Sequence, residues 1–250
     1  ITSMRKREDK FLNDQSALQR RIPTAAAAQT YLASTSQIDP SLPNLLSEDP
    51  FYTQTLPKLL GSNFKPTGTL RTATIGKPEN LHPFSNWAHV NAWRSMCITA
   101  VSKLQFGKYE TMAPDLAIKI EEREREDGKG TEYWVHLRDH VFWEPLSPEL
   151  FTEKIELAEQ FLKRQPLTAE DFKFWYDALA NPYNQEPGAV ALRTYYGDVE
   201  DVRAIDKLTF VVRWKTIPIK QADGTVVHKA KYFAKQLTGG IQPLPCFIFK

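Results

Sequence analysis

Cysteines, glycines and long apolar runs are scarce in this sequence of 250 residues. Two cysteines, Cys97 and Cys246, are too few for a framework of disulfides. The apolar runs are far shorter than the ~20 residues that a membrane-spanning helix needs. Neither sign of charge dominates, because 32 Lys and Arg stand against 30 Asp and Glu. A net charge of +2 gives the whole chain no strong field for nucleic acid or for anionic lipid, and we predict no nucleic-acid partner.

Motifs of catalysis and cofactor binding are also missing. The sequence has no glycine triplet after a strand, no phosphate-binding loop ending in Gly-Lys-Ser/Thr and no Gly-x-Ser-x-Gly elbow. His136 and His140 are four residues apart, but their segment has the period of a strand, which separates them too widely to share one ion. We therefore predict no catalytic residue, no metal and no cofactor, and hence that the protein is not an enzyme.

Prolines and charges set the first quarter of the chain apart. Between Asp39 and Pro66, short apolar pairs such as Phe51-Tyr52 lie between five prolines. This pattern favours an extended strap on another surface over an independent core. We expect residues 1–66 to form an N-terminal extension, with a partly ordered tail as the alternative to a strap. The start of the chain has no apolar signal segment and its end is apolar, so we expect a fragment of a longer protein.

Alternating strands and helices follow. Residues 68–75 read as a strand and residues 88–104 as a helix. Turn signals at Asp127-Gly128, residues 205–207 and Asp223-Gly224 each separate two strand-like stretches and predict three hairpins. The acidic run 121–126 is expected on a solvated outer strand. The alternation predicts a mixed α/β (α+β) domain.

Two helices are predicted between the first two hairpins. Ser147-Pro148 followed by apolar residues at helical spacing predicts a helix over about 148–164. Thr168, with two acidic residues in the next turn, predicts the start of a second helix that ends before Pro182.

A series of short phrases in a fixed order identifies the scaffold. These are GTLR (68–71), NLHPF (80–84), APDLA (113–117), YWVHLRD (133–139), LTAEDF (167–172) and IDKLTF (205–210). In this order, over about residues 68–245, the chain resembles extracytoplasmic solute-binding proteins of family 5, the oligopeptide- and dipeptide-binding components of ABC importers. Residues 144–165 are additional to the usual pattern of that family.

The resemblance implies the first lobe of a two-lobed periplasmic-binding-protein fold. Its core would comprise residues 67–113 and 216–250, with an inserted subdomain of hairpins and helices at 114–215 and a second lobe missing. Family members hold their ligand between lobes that close about a hinge, then dock on a membrane permease. The resemblance thus implies a monomeric, periplasmic or extracytoplasmic binder of peptides, and it leaves open an anchor through a removed lipoprotein leader.

The resemblance also places ligand-binding groups on loops that would face the cleft. By position these are Asn86, Trp87, Ser102, Pro187, Arg193 and Tyr195. Trp87 and Tyr195 would offer flat apolar walls, and Arg193 would pair with a ligand carboxylate.

Two other functions stay open. The same fold could bind another solute, such as an oligosaccharide, a metal chelate or haem. Stacked exposed aromatic rings would favour sugars, and a short charged cleft would favour di- or tripeptides. Alternatively, the strap and the 144–165 insertion could belong to a docking or adaptor protein that has lost transport binding.

Overall fold

The computed structural model describes residues 37–65, 67–69, 71, 82–85, 88–128 and 130–249. All elements below lie in one unit, Asp39–Lys250. The predicted strand at 68–75 lies mostly outside the described residues. Within them, no helix combines the length and apolar character needed to cross a membrane.

The described residues form short helices around antiparallel strands, which confirms the mixed α/β prediction. The strands are β1 (Ser102–Leu104), β2 (Met112–Pro114), β3 (Ala117–Glu124), β4 (Gly130–Leu137), β5 (Phe142–Trp143), β6 (Gln165–Pro166), β7 (Val199–Ala204), β8 (Thr209–Lys215), β9 (Ile217–Lys220) and β10 (Val226–Lys229). The α-helices are α1 (Leu56–Leu60), α2 (Ala88–Cys97), α3 (Glu159–Leu162), α4 (Ala169–Ala180), α5 (Pro187–Tyr196), α6 (Ala234–Gly239) and α7 (Cys246–Phe249).

A four-stranded sheet in the order β3-β4-β8-β7 forms the centre, and the three predicted hairpins are confirmed. Helix α4 packs on one face of the sheet, where Phe172 stacks on Phe210 with ring centroids 4.8 Å apart. Helix α5 packs on α4 through Trp175 and Tyr196, whose rings meet edge to face at 5.2 Å. These apolar contacts build the core because each strand and helix buries one face against the other.

The start of α4 is a junction built on one buried carboxylate. Asp171 accepts hydrogen bonds from the backbone N–H of Thr168 at 2.9 Å, the indole N–H of Trp143 at 3.3 Å and the backbone N–H of Cys246 at 3.0 Å. The backbone carbonyl of Asp171 accepts another from Leu244 at 3.0 Å. One side chain therefore joins α4, β5 and the end of the chain.

Two of the predicted helices are wrong in extent. A helix over 148–164 does not form: a single 3-10 turn at Pro148–Leu150 leads into extended chain before the four-residue α3. Trp143 pairs with Gln165 in a two-stranded ladder, so the two ends of this insertion lie side by side. A helix of that length would extend ~25 Å and could not return the chain to that ladder.

The predicted helix over 88–104 ends at Cys97, and the following residues form β1 instead. The backbone N–H of Val101 donates to the Ile241 carbonyl at 3.0 Å. Strand β1 then pairs with β2, from Ser102 opposite Pro114 to Leu104 opposite Met112. These long-range partners satisfy backbone groups that a helix would have used locally.

Segment 39–49 lies along the outer edge of β3. The backbone N–H of Leu45 donates to the Ile120 carbonyl at 2.9 Å, and the Asn44 side chain bonds the Ile118 carbonyl and the Ile120 N–H at 3.1 Å each. Leu46 forms an isolated parallel bridge to Met112. The segment thus covers an edge that would otherwise present unpaired backbone groups.

Candidate ligand-binding face

The predicted ligand-binding residues occupy different environments. Asn86 and Trp87 lie outside the described residues. The side chain of Ser102 is buried, and its hydroxyl donates to the Gly239 carbonyl at 3.2 Å. In this structure Ser102 therefore ties β1 to α6. Its role towards ligand stays a prediction.

Pro187, Arg193 and Tyr195 share helix α5. Pro187 is exposed at the first position of the helix, where its missing N–H costs nothing. The Arg193 guanidinium donates to the Leu179 carbonyl at 2.9 Å and to the Asn184 carbonyl. Arg193 therefore caps the end of α4, which uses part of the hydrogen-bonding capacity that a ligand carboxylate would need.

Residues 82–85, just before the predicted Asn86-Trp87 pair, lie against the start of α5. A Cβ added at Gly188 would overlap the Phe84 carbonyl oxygen, so only glycine allows this approach. The Arg94 guanidinium donates to the Pro83 carbonyl from α2. The fold thus brings residues 82–85 against the start of α5, which lies about 100 residues further along the chain.

An exposed set of aromatic rings forms a surface that the sequence did not identify as a site. We call it the aromatic face; its rings in contact are Phe51, Tyr52 and Phe106, and we add Tyr109 from the loop of Phe106 and Tyr232, which bonds Glu110 of that loop. Phe51 and Phe106 stack with centroids 4.0 Å apart and planes 19° apart, and Tyr52 meets Phe51 edge on at 5.1 Å. Tyr52, Phe106, Tyr109 and Tyr232 are between 52% and 86% exposed. Rings that could be buried elsewhere are instead presented to solvent.

Buried polar side chains hold the aromatic face in place. The Asp49 carboxylate accepts from the backbone N–H of Phe51 at 3.0 Å and of Phe106 at 2.7 Å. The Gln105 amide donates to the Ser47 and Glu48 carbonyls at 3.1 and 3.0 Å. Asp49 and Gln105 are both nearly inaccessible to solvent. This support fixes ring positions before a ligand arrives, which lowers the entropic cost of binding.

Charged groups border the aromatic face. The Lys103 ammonium lies 5.7 Å from the centre of the Tyr52 ring. The Tyr232 hydroxyl donates to the Glu110 carboxylate and so connects the segment after β10 to the loop after β1. The face therefore combines apolar area with a cation and a carboxylate, the mixture found in pockets for polar organic molecules.

The sequence contained part of the signal for this face. The Phe51-Tyr52 pair was expected to anchor a strap, and Phe51 does pack on Phe106. Tyr52 remains exposed beside it. Spacing along the chain gave no indication of the hydrogen bond between Tyr232 and Glu110, because these two residues are 122 positions apart.

A second candidate is an open charged cleft of about 400 Å³ on the sheet face opposite α4. It is lined by Arg123, Glu124, Arg125, Glu126, Asp127, Glu132, Trp134 and Arg213. Arg123 lies over the Trp134 ring at 4.1 Å, and Arg213 pairs with Glu132 at 3.0 Å. Because the cleft's cations are satisfied by its own carboxylates and ring, it offers less to a ligand than the aromatic face does.

Beside this cleft, the acidic run contains one buried carboxylate, which corrects the expectation of a solvated strand. Glu121 is inaccessible to solvent and pairs with Lys119 at 3.0 Å and with Arg123. Its Oε1 accepts from the backbone N–H of Asp39 at 3.0 Å. Burial raises the pKa of Glu121, but the hydrogen bonds and cations outweigh it and hold the pKa below its usual value.

His136 lies against Glu121, with Nε2 3.4 Å from the carboxylate, and is also inaccessible to solvent. Burial lowers the pKa of His136, and the nearby Arg123 and Lys119 act in the same direction, whereas Glu121 opposes them. We interpret this group as a structural support of segment 39–49. Among the described residues, no cluster of His, Cys, Asp or Glu has the arrangement of a metal site.

Comparisons with known proteins find similarity in solved structures alone. No model of a known protein family matches the chain, and no curated protein matches it. NikZ from Campylobacter jejuni, solved in complex with Ni(L-His), is similar with 17% identity and a TM-score of 0.37 over 57% of this chain. That match covers 23% of the NikZ chain.

Two further binding proteins are similar at the same level. The protein AgaA from A. tumefaciens R10, in complex with agropinic acid, has 15% identity and a TM-score of 0.40 over 66% of this chain. The periplasmic binding protein DppA from Helicobacter pylori, in complex with the peptide STSA, has 14% identity and a TM-score of 0.40 over 64%. The matches span 29% and 31% of those chains. Likeness this partial establishes neither a family nor a ligand.

Proposed function

We propose that this chain is the first-lobe part of an extracytoplasmic solute-binding protein of family 5, and that its solute is an oligopeptide. The ordered phrases between residues 68 and 245 support the family. The observation that carries the binding role is the aromatic face, whose exposed rings are held by the buried Asp49 and Gln105. The proposed partners are a small solute and the membrane permease of an ABC importer, and the proposal includes no catalytic step.

The aromatic face would form one wall of the ligand cleft. Peptide groups and apolar side chains of the ligand would pack on its rings. Each Å² of apolar surface that this packing removes from water contributes ~25 cal/mol of favourable free energy. The Lys103 ammonium has no carboxylate partner among the described residues and stands beside Tyr52. We assign it the role of holding a ligand carboxylate through a charge-assisted hydrogen bond. Asn86, Trp87 and Tyr195 remain proposed ligand-binding residues.

One observation favours an oligosaccharide as the alternative solute. Phe51 and Phe106 stack almost in parallel, and Phe106 leaves more than half of its surface open. A flat exposed ring of this kind suits the apolar face of a sugar. Peptide remains the first choice because the charged groups at Lys103 and Glu110 match a zwitterionic ligand better than a neutral one.

Identification of the bound solute tests the proposal most directly. The full-length protein, with both proposed lobes, would be purified without denaturation, and its ligands would be released and analysed by mass spectrometry. Peptides would support the proposal, and glycans would support the alternative. A metal chelate would assign another solute, and absence of any small molecule would favour a docking protein.

Binding by the 250-residue chain provides a second measurement. We expect calorimetry with short peptides to give dissociation constants weaker than about 1 µM, because a single wall buries too little of the ligand. Replacing Tyr52 and Phe106 together by Ala should weaken the remaining binding at least ~10-fold. Tyr183→Ala is the matched control, since this ring is 91% exposed and lies outside the face. Equal losses in both variants would contradict the assignment.

A further inference from the structure

The β9–β10 hairpin projects as a thin arm with little burial. Residues 217–220 are all exposed, and so are three of the four residues of β10. The turn is stabilised locally, since Asp223 accepts from the Thr225 N–H at 2.9 Å and Gly224 has a φ of +88°. A two-stranded hairpin of this kind gains little from its own packing, and most of its side-chain surface is open to contact with another molecule.

Positive charge is concentrated on this arm and beside it: Lys220 and Lys229 lie in the hairpin, Lys215 ends β8 directly before it, and two more lysines follow it. Residues 215–235 contain five lysines and one acidic residue, Asp223, whereas residues 39–214 contain 26 acidic and 20 basic residues. The chain's small net charge of +2 therefore conceals a cationic arm on an acidic body. Such a molecule is oriented by a negatively charged surface, because the arm is attracted and the body is repelled.

The cations of the arm are available. In the part of the chain that the structure describes, no carboxylate pairs with Lys215, Lys220 or Lys229, and all three are exposed. Lys231, by contrast, pairs with Asp198 at 3.1 Å and lies 5.1 Å from the Trp214 ring. The three free lysines, rather than Lys231, are therefore the groups that can bind an external anion.

The arrangement of the arm suits a membrane surface better than a protein partner. In the register of the hairpin, Lys220 lies opposite Val226 and Lys229 lies opposite Ile217. Neighbouring ladder positions point to opposite faces, so both faces carry a cation together with an exposed β-branched side chain. An anionic lipid surface uses both features at once, because its charge attracts the lysines and its headgroup region takes up the exposed apolar side chains.

We propose that the β9–β10 hairpin, together with Lys215 at the end of β8, binds the surface of an anionic phospholipid bilayer through Lys215, Lys220 and Lys229. Exposed apolar side chains between the lysines, Ile217, Ile219 and Val226, lie shallowly among the headgroups. The interaction orients the acidic body away from the bilayer. It uses residues outside the aromatic face, so it neither requires nor implies solute binding.

Co-sedimentation with vesicles tests this proposal. The 250-residue protein is mixed with vesicles of phosphatidylcholine alone or with 30% phosphatidylglycerol, at low and high salt. We expect binding to the anionic vesicles alone, with loss at ~0.5 M salt, where the Debye length falls to a few ångströms. Changing all three lysines to Gln should lower the partition constant on the order of 100-fold, from about fivefold per lysine.

A matched variant removes three other exposed lysines, Lys58, Lys154 and Lys207, which likewise have no ion-pair partner among the described residues. It should bind within about twofold of the parent, and residues 1–36 are the same in all three proteins. Equal losses in both triple variants, or no binding at low salt, would overturn the proposal. Binding to polyglutamate as tight as binding to the anionic vesicles would also overturn it, in favour of an acidic polypeptide. Circular dichroism of each variant verifies folding.

Discussion

Removal of the Asp171 carboxylate should be among the most damaging single changes in this protein. The side chain is 2% exposed and accepts hydrogen bonds from Thr168, Trp143 and Cys246. Asp171→Ala leaves these three donors without their partner. It also removes a negative charge from the first turn of α4, where the helix dipole favours one.

The magnitude follows from the environment of the three donors. Thr168, Trp143 and Cys246 are partly rather than fully buried, so each lost hydrogen bond is assigned about 1 kcal/mol, the low end for an orphaned group. Loss of the favourable charge at the helix start adds about 0.5–1 kcal/mol. We therefore expect Asp171→Ala to lower the free energy of unfolding by about 3.5–4 kcal/mol. Asp171→Asn, which keeps an acceptor, should cost about half as much.

Urea unfolding followed by tryptophan fluorescence measures the change, since Trp175 and Trp214 are both buried. Asp177→Ala is the control on the same helix. Its carboxylate is about half exposed and pairs only with Lys173 one turn away, so its loss should cost less than ~0.5 kcal/mol. A loss below 1 kcal/mol for Asp171→Ala, with an unchanged dependence on urea, would refute the reasoning.

Three further changes follow from buried groups. Glu121→Gln should lower the unfolding free energy by about 2–3 kcal/mol, because Lys119 and Arg123, both partly buried, lose their charged partner. The control Glu124→Gln, at an exposed position of the same strand, should cost under ~0.5 kcal/mol in the same urea assay. Stability should fall as pH drops below the ordinary histidine pKa of ~6.5, since His136 then binds a proton in the unfolded chain more readily than in the folded one, where burial lowers its pKa. In His136→Gln, the unfolding free energy measured from pH 7.5 to 5 should fall less steeply. Gly188→Ala should destabilise by about 1–3 kcal/mol through overlap with the Phe84 carbonyl, opposite in sign to a usual helical Gly→Ala change, and a raised melting temperature would contradict it.

Local patterns in the sequence were sufficient for the hairpins and for α4. Turn signals such as Asp127-Gly128 and Asp223-Gly224 act within a few residues, and the structure has a hairpin at each. Thr168 and the acidic residues after it predicted the start of α4 correctly. Such signals succeed because capping and turn geometry depend on neighbours in the chain.

The same kind of local reasoning failed where distant partners competed for the backbone. Ser147-Pro148 has the composition of a helix start, yet the Trp143–Gln165 ladder requires the insertion to turn back. Glu121 belongs to a charged run, yet Asp39 from a segment 82 residues away helps to bury it. Neither partner can be recognised from spacing along the chain.

The sequence by itself therefore determined the mixed α/β class, the hairpins, the start of α4 and the concentration of lysines at 215–235. These properties depend on the order of neighbouring residues and on composition. The tertiary structure alone decided which exposed rings meet in the aromatic face, that Ser102 and Arg193 bond to backbone carbonyls, and that Asp171 joins three parts of the chain. Those contacts connect residues far apart in sequence, and they form only when the packed core brings the segments within hydrogen-bonding distance.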